Sequence, residues 1–583
     1  MLLIMITATI ACRKNFSDEK FIPDNKPVIP DWTAKATSSI NGFVTDENNN
    51  PVFNARVIAG NKETTTDGYG FFSISDASLN KAAGLVKVSF ANYFTGYKTF
   101  TVNEGKETFV RIQLIPKKNT GNIVSTTGGT VTTTDGAKVE LPADAVVTAS
   151  TGAAYSGNIK VASKWIDVTN GTNFQLTTQG DNRGLNTDGH LVYAKSYSSI
   201  AVELTDDGGQ LLQIATGKKA TITIPIPAAI ASTSPASVAL WYLDENTGFW
   251  KQESTATKIG NSYVGQVSHF SYWSAATGFP LVNFKVQVVD ASLQPLAHVP
   301  VVLTQASMPQ NAGYGKFEYT DANGFVNGLI LGNSNLILDV LTPCATPAYS
   351  IPFTTTTLDV DLGTVTGNLG QSFVTIKGTA VNCSNAPVTD GYVQTYDNGF
   401  YNRLPIVNGN FSYTGLACSN TVASYVVIDN STNQQNIPQT ITLQPGMNNV
   451  GKLTACGMST LSSIKYTING TPYTLQEPTN KLASFLDNIQ FNWTNIIDLT
   501  NSNTLTLSFD GGTALGSGHK VSDIFCSSFT SGRAIATVPL TVNITEYGLP
   551  GGFVSGNFSG TMLDFVSNAP YNVNFNFRVR RHL

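Results

Sequence analysis

The architecture of this chain follows from the stretch NGFVTDENNNPVFNARV at residues 41–57. A β-rich run ends at Asp46, Pro51 follows five residues later, and Val57 opens a new apolar run after six more. An aspartate side chain can bond the backbone of the turn that follows it. Proline fixes φ in the connection. The spacing therefore predicts one strand, a tight connection and a second strand.

The same spacing of five and then six residues occurs three times along the chain. The first copy continues with Thr66-Asp67 and Gly70-Phe71-Phe72. The second copy reads Val288-Val289-Asp290, Pro295, Val301, Thr320-Asp321 and Gly324-Phe325-Val326. The third copy reads Val381-Asn382, Pro387, Val393 and Gly409-Asn410-Phe411. Glycine can take a positive φ in a tight turn, so each copy predicts a small antiparallel sandwich.

These residues resemble the carboxypeptidase-regulatory-like, or transthyretin-like, domain. The copies span residues 38–116, 280–366 and 372–456, and the third lacks the Thr-Asp pair. In that family the domain is an accessory module without catalytic residues of its own. The resemblance therefore implies β-sandwiches and no peptidase activity.

The segment 120–276 has a different pattern. It opens with Gly128-Gly129-Thr130-Val131 and closes with Ser268-His269-Phe270-Ser271-Tyr272-Trp273. Both ends resemble the domain shared by ankyrins, netrin receptors and the zonula occludens protein. Some death-domain relatives cut themselves at His-Phe-Ser. The resemblance implies that Ser271 Oγ attacks the Phe270 carbonyl, with His269 or another base accepting the proton. The alternative is that these residues only close a strand.

The C-terminal segment, 457–583, is also β-rich. Apolar and polar residues alternate strictly over 571–579, as in a strand with one buried face. One short helix is expected near 480–490, from the spacing of Leu482, Phe485, Leu486 and Ile489. We therefore expect an all-β string of small antiparallel β-sandwiches, ending in a β-rich domain that carries one short helix.

The composition supports an ordered β protein and excludes several partners. The 583 residues have 41% hydrophobic and 10% aromatic side chains, which excludes disorder of the whole chain. Lys and Arg number 35 and Asp and Glu 39, giving a net charge of −4. Such a balance predicts no nucleic-acid partner. The 51 Gly and 25 Pro are typical of strands and turns.

The N-terminus predicts export. Residues 2–10 form an apolar run too short to span a bilayer, and Thr9-Ile10-Ala11-Cys12 resembles a bacterial lipobox. We expect residues 1–12 to be a signal peptide, lipidation at Cys12, and a proline-containing tether over 13–37. The membrane is then a partner through the lipid, at the outer membrane or cell surface. A plain cleaved signal and a chance apolar end are the alternatives.

Cysteine usage agrees with an oxidising compartment. Five cysteines remain beyond Cys12, namely Cys344, Cys383, Cys418, Cys456 and Cys526, and no CxxC pair occurs among them. We expect at least one disulfide among the first four. The pairing Cys383–Cys418 is favoured, because both cysteines lie at strand ends within one predicted domain.

Apart from His269-Phe270-Ser271, the sequence carries none of the common motifs for catalysis or metal binding. No two of its five histidines lie within five residues of each other, and neither Gly-x-Ser-x-Gly nor a P-loop is present. We therefore expect no cofactor and no metal. Tyr396 and Tyr401 flank Asp397-Asn398-Gly399, a hairpin-tip signal, and are the ligand-binding candidates.

These observations favour a non-catalytic cell-envelope lipoprotein with a structural, adhesive or ligand-presenting role. Its partner would be a glycan or another envelope protein. One alternative is a glycan-binding surface protein of a carbohydrate-uptake system. Another is a self-cleaving β-domain protein, or a hydrolase in the C-terminal domain.

Overall fold

The computed structural model describes residues 30–581 with internal gaps. The gaps are 103, 106, 170–176, 178, 298, 307–314, 342–346, 367–372, 398–399, 417–421, 478, 481, 488–492, 501–504, 511–514, 537–539 and 549–550. Strands dominate the described part of the chain, which confirms the all-β class. They form five units that follow one another along the sequence.

Unit 1 is a sandwich of two small sheets. Its strands are β1 (Lys35–Thr45), β2 (Arg56–Ala59), β3 (Lys62–Thr65), β4 (Phe71–Asn80), β5 (Gly84–Ser89), β6 (Gly96–Phe100) and β7 (Glu107–Gln113). One sheet has the order β4-β1-β7 and the other β3-β2-β5-β6. In the first sheet β1 and β7 run parallel. Ile40 and Val44 on β1 and Val57 on β2 are fully buried between the two sheets.

Unit 2 is one large curled sheet. Its strands are β8 (Asn119–Val124), β9 (Gly129–Thr132), β10 (Lys138–Leu141), β11 (Val146–Thr148), β12 (Asn158–Ile166), β13 (Arg183–Leu185), β14 (Leu191–Thr205), β15 (Leu211–Ile214), β16 (Ala220–Pro225), β17 (Ser237–Leu243), β18 (Trp250–Ile259), β19 (Ser262–Val267) and β20 (Tyr272–Phe279). A single helical turn, α1 (Ala228–Ala231), lies between β16 and β17. Trp241 and Trp273 are among its most deeply buried side chains.

Units 3 and 4 repeat the topology of unit 1. Unit 3 contains β21 (Leu281–Val289), β22 (Pro300–Gln305), β23 (Gly315–Tyr319), β24 (Phe325–Leu331), β25 (Asn335–Leu341), β26 (Pro347–Thr354) and β27 (Val360–Thr366). Unit 4 contains β28 (Phe373–Asn382), β29 (Gly391–Asp397), β30 (Phe400–Pro405), β31 (Asn410–Leu416), β32 (Val422–Asp429), β33 (Gln434–Gln435), β34 (Gln439–Thr442), β35 (Gly446–Ala455) and β36 (Met458–Ser459). Their three-stranded sheets have the orders β24-β21-β27 and β31-β28-β35.

The repeated sequence motif has the same local structure in each copy. Asp46 Oδ1 accepts hydrogen bonds from the backbone N–H groups of Asn48 and Asn50, at 2.9 and 2.7 Å. Asp290 and Asn382 bond their own turns in the same way. The prolines form the isolated bridges Thr45–Pro51, Val289–Pro295 and Val381–Pro387. The turn chemistry therefore explains why the spacing of five residues recurs.

Unit 5 forms a ten-stranded sheet. Its strands are β37 (Ser463–Ile468), β38 (Thr471–Gln476), β39 (Leu482–Asp487), β40 (Trp493–Asp498), β41 (Thr506–Asp510), β42 (Gly516–Phe525), β43 (Arg533–Ile535), β44 (Thr541–Tyr547), β45 (Phe553–Asp564) and β46 (Pro570–Arg580). The expected alternation over 571–579 is present, since Val573, Phe575, Phe577 and Val579 are all buried.

The helix expected near 480–490 is wrong. Residues 482–487 form β39, which pairs antiparallel with β40, while Ile489 lies outside the described residues. Leu482, Ala483 and Ser484 are all buried. Pairing with β40 and burial of the run in the sheet outweigh its helical spacing. The short helix of the described chain lies in unit 2 instead.

Candidate functional site

The sheet β4-β1-β7 of unit 1 is apolar on both faces. Its inner face carries the sandwich core, while Phe43, Phe71, Phe109 and Arg111 project from the other side. We call these four residues the outer face. Phe43 is buried, and the Arg111 guanidinium lies 4.9 Å from the centre of its ring. In an isolated sandwich this apolar face would be exposed to water. The outer face is therefore expected to be a contact surface for another part of the molecule.

Unit 4 packs on this outer face through an arginine. The Arg403 guanidinium lies between the rings of Phe71 and Tyr392, at 3.8 and 3.6 Å from their centres. It also forms an ion pair with Asp67. Tyr69 meets Tyr401 with ring centres 5.3 Å apart. A guanidinium is planar and more weakly hydrated than an ammonium group. Arginine therefore suits a partly dry aromatic interface better than lysine would.

Unit 5 reaches unit 1 through a buried arginine at its last strand. The Arg580 guanidinium lies 4.5 Å from the ring centre of Phe553 and 5.3 Å from that of Tyr69. It donates to the carbonyl oxygens of Gly551 (2.7 Å) and Thr460 (2.9 Å). Burial acts to lower the pKa of this guanidinium, but the neighbouring tyrosines and carboxylates raise it above its usual value. Arg580 therefore stays protonated although it is buried.

Units 2 and 3 also contact unit 1. Thr99 Oγ1 donates to the carbonyl oxygen of Gly248 at 2.9 Å, and the Tyr272 hydroxyl donates to that of Thr95 at 3.0 Å. Phe109 meets Tyr319 of unit 3 edge-to-face, with centres 5.3 Å apart. Unit 1 therefore contacts each of the other four units.

The His-Phe-Ser turn lies between β19 and β20 of unit 2. The Gln213 side chain accepts from the N–H of Phe270 (2.7 Å) and donates to its carbonyl oxygen (3.0 Å). Ser271 Oγ donates to the carbonyl oxygen of Tyr272 at 3.1 Å. His269 Nε2 lies 3.5 Å from the Glu253 carboxylate. The structure thus places all three predicted residues on one turn, with the imidazole directed to Glu253.

A cavity of about 600 Å³ opens beside this turn, between units 1 and 2. Phe94 and Tyr97 come from unit 1, while Tyr242, Phe270 and Tyr272 come from unit 2. Its polar lining includes Glu203, Asp244, Glu245, Asn246 and Lys251. Burial raises the pKa of the Tyr97 hydroxyl, and the charge and hydrogen bond of Glu245 add to that effect.

The predicted ligand-binding tyrosines lie at the junction of units 1 and 4. Tyr401 is 7% exposed, and its carbonyl oxygen accepts from Arg111 at 3.0 Å. Tyr396 is half-buried against Tyr401, with ring centres 4.6 Å apart. Residues 398–399 of the tip lie outside the described residues. A ligand-binding role for the two tyrosines stays a prediction.

A disulfide joins Cys383 to Cys456, so the favoured pairing of Cys383 with Cys418 is wrong. The cause is the parallel pairing of β28 and β35, in which Asn382 lies opposite Ala455. The residue that directly follows each strand is a cysteine, and the Cα atoms of the two cysteines are 4.9 Å apart. Cys526 is a buried free thiol. Cys12, Cys344 and Cys418 lie outside the described residues.

The sequence analysis did not predict the residues of the outer face, although the sequence contains a signal for them. Phe71 directly precedes the buried Phe72, and Phe109 directly precedes the buried Val110. Consecutive strand residues point to opposite faces. Large apolar residues on both faces of one strand therefore indicate a sheet that is covered on both sides.

The described residues were also compared with the requirements of a metal site and of a membrane-spanning helix, and they meet neither. Within them, no group of three or more His, Cys, Asp or Glu side chains is arranged to hold a metal ion. No helix in the described part of the chain is long and apolar enough to cross a membrane.

Comparison with known proteins finds similarity to solved structures only. No protein-family model and no curated protein matches the chain. The shaft pilin SpaA from Lactobacillus rhamnosus GG matches at 9% identity and a TM-score of 0.18, covering 30% of this chain and 99% of the pilin. A streptococcal ancillary pilin matches at 14% identity and a TM-score of 0.14, covering 40% and 95%. The minor pilin GBS52 of Streptococcus agalactiae matches at 9% identity and a TM-score of 0.16, covering 30% and 97%.

Proposed function

We propose that this chain is an exported cell-envelope protein with a non-catalytic structural or adhesive role, anchored by a lipid on Cys12. The observation that carries the proposal is the set of contacts that join its units to one another. Asp67 and Arg403 are 336 residues apart in sequence, yet they form an ion pair, and the Arg403 guanidinium stacks on an aromatic ring from each of the two units. A protein that holds a surface or a partner in place needs such rigidity between modules.

Further support comes from the sequence. The resemblance of units 1, 3 and 4 to carboxypeptidase-regulatory-like domains implies accessory modules rather than enzymes. The apolar run that ends in Ala11-Cys12, followed by a proline-containing segment, is typical of a lipid anchor with a spacer. The Cys383–Cys456 disulfide is the kind of crosslink that persists in an oxidising compartment.

Expression of the full chain in a Gram-negative host with an alkyne-tagged fatty acid tests the anchor. We expect the wild-type protein to carry the label and to fractionate with membranes, whereas Cys12→Ser loses both properties. Cys526→Ser is the matched control, because it removes a cysteine that has no part in export. Protease treatment of intact cells then reports surface exposure. Unlabelled wild-type protein, or unchanged fractionation of Cys12→Ser, would contradict the anchor.

A further inference from the structure

We propose that the cavity between units 1 and 2 is a binding site for a neutral saccharide. The inference goes beyond the structural role proposed above, which needs no ligand. Its volume of about 600 Å³ falls within the range of about 300–1,000 Å³ typical of small-molecule sites. Such sites often form where two domains meet.

Two of the three carboxylates that line the cavity pair with lysines. Glu203 pairs with Lys117 at 2.8 Å. Asp244 pairs with Lys251 at 2.5 Å. Glu245 accepts a hydrogen bond from the Tyr97 hydroxyl. Glu203 and Asp244 therefore have cationic partners, while the exposed Glu245 keeps a negative charge that accepts hydrogen bonds from hydroxyl groups and disfavours an anionic ligand.

The remaining surface suits a molecule with both hydroxyl and C–H faces. Tyr242, which is half-buried, supplies an aromatic side to the cavity, and the buried rings of Phe94, Tyr97 and Tyr272 form its floor. The carboxylates accept hydrogen bonds, while the Lys251 ammonium donates and the Asn246 amide can do both. Aromatic rings contact the apolar face of a pyranose, and a mixed donor and acceptor rim matches its hydroxyls. A neutral mono- or disaccharide meets both requirements.

Saturation-transfer NMR with the purified protein tests the site. The probes are maltose, cellobiose, lactose and N,N′-diacetylchitobiose, with glucosamine and glucuronic acid as charged comparisons. We expect at least one neutral disaccharide to bind. Glu245→Ala, at an exposed position, should weaken that binding about tenfold, the loss of one hydrogen bond to a charged group. Asn246→Trp should abolish it, because Asn246 lines the cavity and the larger indole would occupy part of its volume.

Asn48→Trp is the matched control. Asn48 is an exposed residue whose N–H bonds Asp46 Oδ1, just as the N–H of Asn246 bonds Asp244 Oδ1. This variant should bind like wild type. The proposal is overturned if no neutral disaccharide binds, if only glucosamine or glucuronic acid binds, or if Asn246→Trp binds as well as wild type. The anchor experiment is independent of all these outcomes.

Discussion

At Gly68 the lack of a side chain lets Arg580 pass directly over the backbone. A Cβ placed there would lie 1.7 Å from Arg580 Cδ. The arginine cannot move away freely, because it is 8% exposed and donates to two carbonyl oxygens. The packing of the first unit against the last therefore depends on one glycine.

Gly68→Leu should separate unit 1 from unit 5 at this contact. Overpacking of this kind costs about 1–3 kcal/mol, and hydrogen exchange should become faster around Tyr69 and Arg580. Gly208→Leu is the control, since a Cβ at Gly208 meets only the Asp206 carboxylate, at 3.3 Å or more. Unchanged exchange in Gly68→Leu would show that the contact does not persist in solution.

The turn at Ser271 leads to a second prediction at the residue scale. Ser271 Oγ donates to the Tyr272 carbonyl, and His269 Nε2 faces Glu253, so the hydrogen bonds of the described residues do not join the hydroxyl to the imidazole. We expect the mature protein to run as a single band in denaturing electrophoresis after long incubation, as Ser271→Ala should. Fragments 12–270 and 271–583 that are absent from Ser271→Ala would contradict this expectation and establish self-cleavage.

At the scale of elements, the parallel pair β28 and β35 determines the disulfide. The bond closes a loop with a sequence separation of 73 residues. A crosslink over such a loop contributes about 2–4 kcal/mol. We predict that the double variant Cys383→Ser/Cys456→Ser lowers the thermal midpoint of unit 4, and that dithiothreitol lowers it in wild type only. Equal sensitivity of both proteins to the reductant would exclude this pairing.

The comparison of β28 with β39 shows which elements the sequence can predict. The three sandwiches were predictable because Asp46, Asp290 and Asn382 bond their own turns, a purely local interaction. The strand at 482–487 was not, because its partner β40 decides its conformation. The Cys383–Cys456 bond has the same origin, since the parallel pairing that forms it is a non-local contact.

At the scale of the molecule, the units that cover the outer face of unit 1 could not be predicted from the sequence. The expected ligand site at Tyr401 rested on the exposure of a hairpin tip, yet Arg111 and Tyr69 of another unit cover that residue. The contacts that join these units link residues that lie more than a hundred positions apart in the sequence. Only the doubly apolar face around Phe71 and Phe109 gave a local sign of it.

Small-angle X-ray scattering of residues 30–583 tests most directly whether unit 1 holds the molecule together. A compact chain of this length has a radius of gyration of about 24 Å, whereas five separate domains end to end give about 50 Å. We predict a value closer to the first, with a single maximum in the pair-distance distribution. A value near the second, with several maxima, would contradict the account.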